Sequence, residues 1–153
     1  MGAKKKTFKP WKQGLYKPLN KKKCKNTVTP VYRSSWELKL FRWMDLNPNV
    51  IAWTSEKVIV PYENPVTGRV SRYYPDATMH IKEGDKVIKY LIEVKPECET
   101  KPPVFSKRKK PKTVLYERVT WAKNQCKWKA ARQYSARNGY KFIILTEKHL
   151  NIR

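Results

Sequence analysis

The sequence predicts an α/β domain, a mixed sheet flanked by helices in the order helix, three strands, helix, strand. Three observations predict it. Val87 to Lys95 alternates as a strand does, with Ile88, Tyr90, Ile92 and Val94 on one face and Leu91, Glu93 and Lys95 on the other. Leu38, Leu40, Phe41, Trp43 and Met44 follow a capping serine at helical spacing. A helix and then a strand close the chain, and a strand–helix–strand unit generally makes a parallel pair through a right-handed crossover.

Each element has its own signal. Residues 1–30 form a basic N-terminal arm interrupted by Pro10, Pro18 and Pro30, with Trp11, Leu15, Tyr16 and Leu19 able to tack part of it onto the body. The body spans 31–153. Ser34 caps the first helix, and Asn47-Pro48-Asn49 ends it. Val50 to Thr54 and Lys57 to Tyr62 are rich in strand formers. Glu63 to Gly68 is a turn, and Val70 to Ile81 reads as one long strand. Glu83-Gly84-Asp85 turns the chain into Val87–Lys95. A Pro-rich basic loop fills 96–113, a helix starting near Val114 or Thr120 runs to Asn138, and Gly139 stops it before a strand over Tyr140 to Thr146.

Composition narrows the function. Thirty-five Lys and Arg against twelve Asp and Glu give 153 residues a formal net charge of +23. Self-repulsion on that scale points to a polyanionic partner, and nucleic acid is the natural one. A basic membrane-surface protein would show a strongly amphipathic basic helix, whereas the most basic stretches here are rich in proline. No apolar run reaches the length of a membrane span, and no apolar stretch follows the basic Met1–Lys6 start. The chain is expected to act in the cytoplasm. Cys24, Cys98 and Cys126 are widely spaced and, with only His80 and His149 beside them, read as free thiols rather than a zinc site.

Glu93 and Lys95 project together at the end of the strongest strand. Symmetry about a turn centred near Gly84 sets Asp76 beside Glu93, about 5 Å away between Cβ atoms in a typical antiparallel pair. Carboxylates that close repel unless a cation sits between them, and an oxygen-rich pair suits Mg²⁺. An ammonium at Lys95 could orient a water and offset charge on phosphorus. Taken singly, Glu93 and Lys95 also fit a solvated ion pair and Asp76 a turn residue. Glu37 fits two roles, the capping box Ser34-x-x-Glu37 and a core-facing acid that wants a partner.

Pro75-Asp76, sixteen further residues and then Glu93-Val94-Lys95 resemble the PD-(D/E)xK nuclease signature. The resemblance covers roughly Ser34 to Leu150 and implies a restriction-endonuclease-like fold. Trp36-Glu37-Leu38, Tyr73-Tyr74-Pro75-Asp76 and Ile92–Lys95 are similar to the endonuclease subunits of heteromeric transposases. The small size and basic arm resemble the head-completion nucleases of T-even-like tailed phages. By resemblance, Asp76, Glu93 and the Val94 carbonyl would bind Mg²⁺ or Mn²⁺, Lys95 would serve the water, and Glu37 would assist. Phage portal or neck proteins would then be partners, and the virion and host cytoplasm the location.

Expected contacts to double-stranded DNA are Lys4, Lys5, Lys6, Lys21, Lys22 and Lys23 in the arm and Lys107, Arg108, Lys109 and Lys110 in the loop. Such contacts give affinity without sequence information. Two rivals remain: a non-catalytic, basic structural virion protein, and a junction-resolving or repair nuclease with the same site.

Overall fold

The computed structural model describes residues 13–151. In chain order the elements are β1 (Gly14–Leu15), β2 (Val31–Tyr32), α1 (Ser35–Leu46), β3 (Val50–Ser55), β4 (Val60–Glu63), β5 (Val70–Tyr73), β6 (Ala77–Glu83), β7 (Lys86–Val94), α2 (Pro111–Asn138) and β8 (Lys141–Leu145), with a 3₁₀ turn at Glu97–Thr100. The main sheet runs β3-β6-β7-β8, antiparallel except for the parallel β7–β8 pair that α2 connects. This is the mixed sheet flanked by helices that the pattern predicts.

Three details differ from the sequence expectation. The single strand expected over Val70–Ile81 is broken at Tyr74-Pro75-Asp76. Proline offers no ladder N–H and restricts the residue before it, so β5 folds back on β4 as a separate two-stranded ribbon while β6 joins the main sheet. The second helix starts at Pro111, earlier than expected, because proline in a first helical turn loses no hydrogen bond.

The third difference concerns the core. The alternation of β7 sets the face carrying Leu91 and Glu93 opposite the core, yet both faces of the sheet are covered. Leu40, Phe41 and Met44 of α1 pack with Trp53, Met79 and Ile92 on one side. Trp128 and Ala131 of α2 pack with Val60, Tyr62, Tyr73 and Leu91 on the other. Glu93 therefore lies under a second core, only 6% exposed.

The described part of the expected arm is stitched to the body. The Tyr16 hydroxyl donates to the fully buried Asp45 carboxylate at 2.6 Å, and the Leu19 and Asn20 amides donate to it at 2.8 and 3.0 Å. Burial alone would raise the Asp45 pKa, but these donors outweigh it and hold the carboxyl below its ordinary value. Lys23–Lys25 then runs beside β3, exchanging main-chain hydrogen bonds with Trp53 at 2.9 Å in each direction. Lys4, Lys5 and Lys6 lie outside the described residues.

Candidate active site

The site grows from one hairpin. Gly84 supplies the positive φ (63°) of the β6–β7 turn, and the register it sets pairs Ala77 with Ile92. Asp76, one residue before β6, comes opposite Glu93. Its backbone is held by the Glu56 amide, which donates to the Asp76 carbonyl at 3.1 Å. Its carboxylate accepts from the Val94 amide at 2.7 Å. Glu93 accepts from the Tyr73 hydroxyl at 2.5 Å and lies 3.6 Å from the Lys95 ammonium. The Lys95 amide donates to the Leu145 carbonyl at 3.0 Å, so β8 fixes the end of β7 that carries the site.

Glu37 performs the cap at the start of α1. Its amide donates to the Ser34 hydroxyl at 3.1 Å, and its own carboxylate accepts from the Arg33 amide at 3.1 Å. Burial pushes the Glu37 carboxyl up, and hydrogen bonds from Arg33 and Ser34 draw it partly back. Its charge reaches Asp76. Burial, then the charges of Glu93 and Glu37, push the Asp76 carboxyl well above the ordinary carboxylate range. Burial also raises Glu93, against the pull of Lys95, the Tyr73 hydrogen bond and Lys127. Burial and the adjacent Glu93 push the Tyr73 hydroxyl up strongly.

The donor set here is carboxylate oxygen. Among the described residues no group of three or more His, Cys, Asp and Glu side chains is placed to hold a metal unaided. A two-carboxylate site fits a small hard cation that completes its shell with main-chain oxygen, water and substrate phosphate. The mutual repulsion of Asp76 and Glu93 is what such a cation would relieve.

Residues 47–147 match the TnsA-like endonuclease N-terminal family. The chain belongs to that family. The matched stretch contains Asp76, Glu93 and Lys95 but not Glu37. The chain is also 38% identical over 146 residues to the head completion nuclease of Enterobacteria phage T4, covering 90% of this chain and 92% of that protein. The resemblance carried by the motifs and the one carried by size and the basic arm are therefore both borne out. The family is one of DNA endonucleases of the PD-(D/E)xK type, which in general use divalent metal.

Two neighbours of the site escape the sequence pattern. Tyr73 reads there as part of an uninterrupted strand. Lys127 of α2 lies with its ammonium 5.7 Å and 5.6 Å from the Tyr62 and Tyr73 ring centres. Their signals are the Pro75 break and a lysine beside the buried stripe Asn124, Trp128, Ala131 and Ser135.

The expected DNA contacts divide. Lys21, Lys22, Lys107, Arg108 and Lys110 are exposed. Lys23 instead donates to the Asp45 and Asn47 carbonyls at the end of α1, at 3.1 and 2.7 Å. Lys109 is held 2.8 Å from Glu117. No helix among the described residues is long and apolar enough to cross a membrane.

Proposed function

We propose that the chain is a Mg²⁺- or Mn²⁺-dependent DNA endonuclease of phage head completion, acting on the packaged DNA end before tail attachment. The carrying observation is the Asp76–Glu93 pair, a half-buried and a buried carboxylate set side by side with Lys95 3.6 Å from Glu93. Asp76, Glu93 and the Val94 carbonyl would hold the ion. When bound, the ion lowers the pKa of water and polarises a phosphate. The residues do the rest. Lys95 holds a water beside the phosphodiester and offsets charge as the water oxygen bonds phosphorus and one ester P–O bond breaks; one water proton ends on the departing alcohol oxygen of one strand end, and the other end keeps the phosphate. Tyr73 fixes the Glu93 rotamer, and Glu37 keeps negative charge near Asp76, strengthening its hold on a cation.

The similarity to a head completion nuclease over nearly the whole chain supports the biological setting. Portal or neck proteins are the partners that setting supplies, in the virion and the host cytoplasm. A purely structural role is disfavoured by the enclosure of the paired acids, since carboxylates that only solubilise a surface need no cover.

Nicking of supercoiled plasmid by the full chain tests the proposal. Cleavage should require Mg²⁺ or Mn²⁺ and stop with a chelator. Asp76→Ala should lower it at least about 100-fold while the fold persists, the scale of losing a centre of electrostatic stabilisation. Full activity in that variant, or cleavage without divalent ion, would overturn the assignment. Comparing linear duplex with a four-way junction separates head completion from junction resolution.

A further inference from the structure

The PD-(D/E)xK-like motif takes in Asp76, Glu93 and Lys95, but not the charge that α2 brings to them. Lys127 is half-buried on the side of α2 that packs against the β4–β5 ribbon and β7. No carboxylate stands within ion-pair distance of its ammonium among the described residues. Glu93, the acid whose charge reaches it, already has Lys95 at 3.6 Å and the Tyr73 hydroxyl at 2.5 Å. Lys123, one turn earlier on α2, adds a further positive charge. Burial lowers the Lys127 ammonium, Lys95 lowers it further, Glu93 opposes, and Lys123 adds to the lowering.

The bland account is that Lys127 merely rests on two tyrosines. At 5.6–5.7 Å the ammonium lies near the outer limit of a useful cation–π contact, about 6 Å. The rings neutralise none of its charge. With Lys95 paired to Glu93, the Lys127 ammonium is the charge beside the acid pair that has no counter-ion of its own among the described residues.

On the endonuclease reading above, we infer that Lys127 is a further substrate-binding residue, seating a non-bridging oxygen of a DNA phosphate beside the Asp76–Glu93 pair. A phosphodiester carries one negative charge on two such oxygens, and a lysine binds it as a point charge. Lys95 then works from the strand side and Lys127 from the helix side. Tyr62 and Tyr73 form the floor that keeps the Lys127 stem in place.

Two measurements on the full chain decide it. The first is binding of the metal-free protein to a duplex oligonucleotide across a salt series. Lys127→Ala should lower the slope of log affinity against log salt by about 0.9, one phosphate contact, and Lys127→Arg should retain it. The second is plasmid nicking with Mg²⁺. Lys127→Ala should lose about 30-fold or more in kcat/KM, Lys127→Arg should recover to within a few-fold, and the half-saturating Mg²⁺ concentration should not move. An unchanged salt slope overturns the inference. So does an Ala variant rescued by excess Mg²⁺, which would mean that Lys127 acts only through Glu93. Lys127→Met, which keeps the stem, replaces Ala if Ala fails to fold. If the wild-type chain nicks nothing with any divalent ion, the endonuclease reading falls, and the salt series alone decides the phosphate contact.

Discussion

At each end of the β6–β7 pair a tyrosine hydroxyl donates to a glutamate. Near the turn, Tyr90 donates to Glu83 at 3.0 Å, and the pair stands at the surface among Lys82, Asp85 and Lys86. At the open end, Tyr73 donates to Glu93 at 2.5 Å beneath α2 and the β4–β5 ribbon. The residue types are nearly the same at the two ends: an acid pair, a tyrosine and lysines. At the turn, water screens every charge and the arrangement amounts to a solubilising surface. At the open end Glu93 is buried and Asp76 half-buried, the carboxyls rise, and the repulsion between the two acids makes a place for a cation. Enclosure, rather than composition, separates the two.

The sharpest way to break this comparison is to make the same change at both ends. Glu93→Gln should lower metal-dependent nicking at least about 100-fold, a loss of about 3 kcal/mol of transition-state stabilisation. Glu83→Gln should leave it unchanged. Equal effects in a side-by-side assay would mean that the enclosed end has no special role.

A second contrast uses stability without metal. Both Asp76 and Glu93 have raised carboxyl pKa values, so protons bind the folded chain more tightly than the unfolded one. Their stabilising effect is complete below the unfolded carboxylate values near about 4 and is lost as pH rises through the raised folded ones. Asp76→Asn removes one repelling charge. Its metal-free form should therefore melt about 3–5 °C above wild type at pH 8, with the gap closing towards pH 4. Added Mg²⁺ should raise the wild-type melting temperature and leave the variant's nearly unmoved. Calorimetry at the two pH values reads both, and a variant that melts lower at pH 8 would contradict the repulsion argument.

The smallest effect belongs to the hydroxyls. Tyr73→Phe strands a buried Glu93 oxygen and should cost about 1–2 kcal/mol by urea unfolding. Tyr90→Phe should stay within about 0.5 kcal/mol, as surface substitutions usually do. Matching losses would show that both hydrogen bonds stand in similar surroundings.

How much of the molecule is legible in its sequence follows the range of each interaction. A two-residue hairpin turn at Gly84 sets register by symmetry alone, so the Asp76–Glu93 juxtaposition is legible from residue spacing. The order of helices and strands in the main sheet is legible for the same reason, since period and turn residues are local. Tyr73 is not, because Pro75 redirects the strand only once a separate ribbon has a partner to pair with. Lys127 is hidden because the sequence marks the length of α2 and its Gly139 stop, while the face it presents is set by the sheet it lands on. The segment before α1 reads as an arm because its anchor, Asp45, lies 29 residues from Tyr16 and belongs to no periodic pattern. Removing residues 2–30 would take Tyr16, Leu19 and Asn20 away from that acid. A test of the basic tail's contribution to DNA binding must therefore stop its deletion before residue 13.

The β6–β7 turn also has a consequence for the order of assembly. Asp76 and Val94 are 18 residues apart and meet through a hairpin, a short excursion of the chain. The β7–β8 pairing spans the 28 residues of α2, a longer excursion. Loop-closure entropy grows with the logarithm of the excursion, about 0.6 kcal/mol for each doubling. The two repelling acids are thus brought together by one of the shorter long-range pairings in the main sheet. The cover over them, α2 with Lys127 and β8 with its grip on Lys95, closes a longer loop and carries the larger entropic cost.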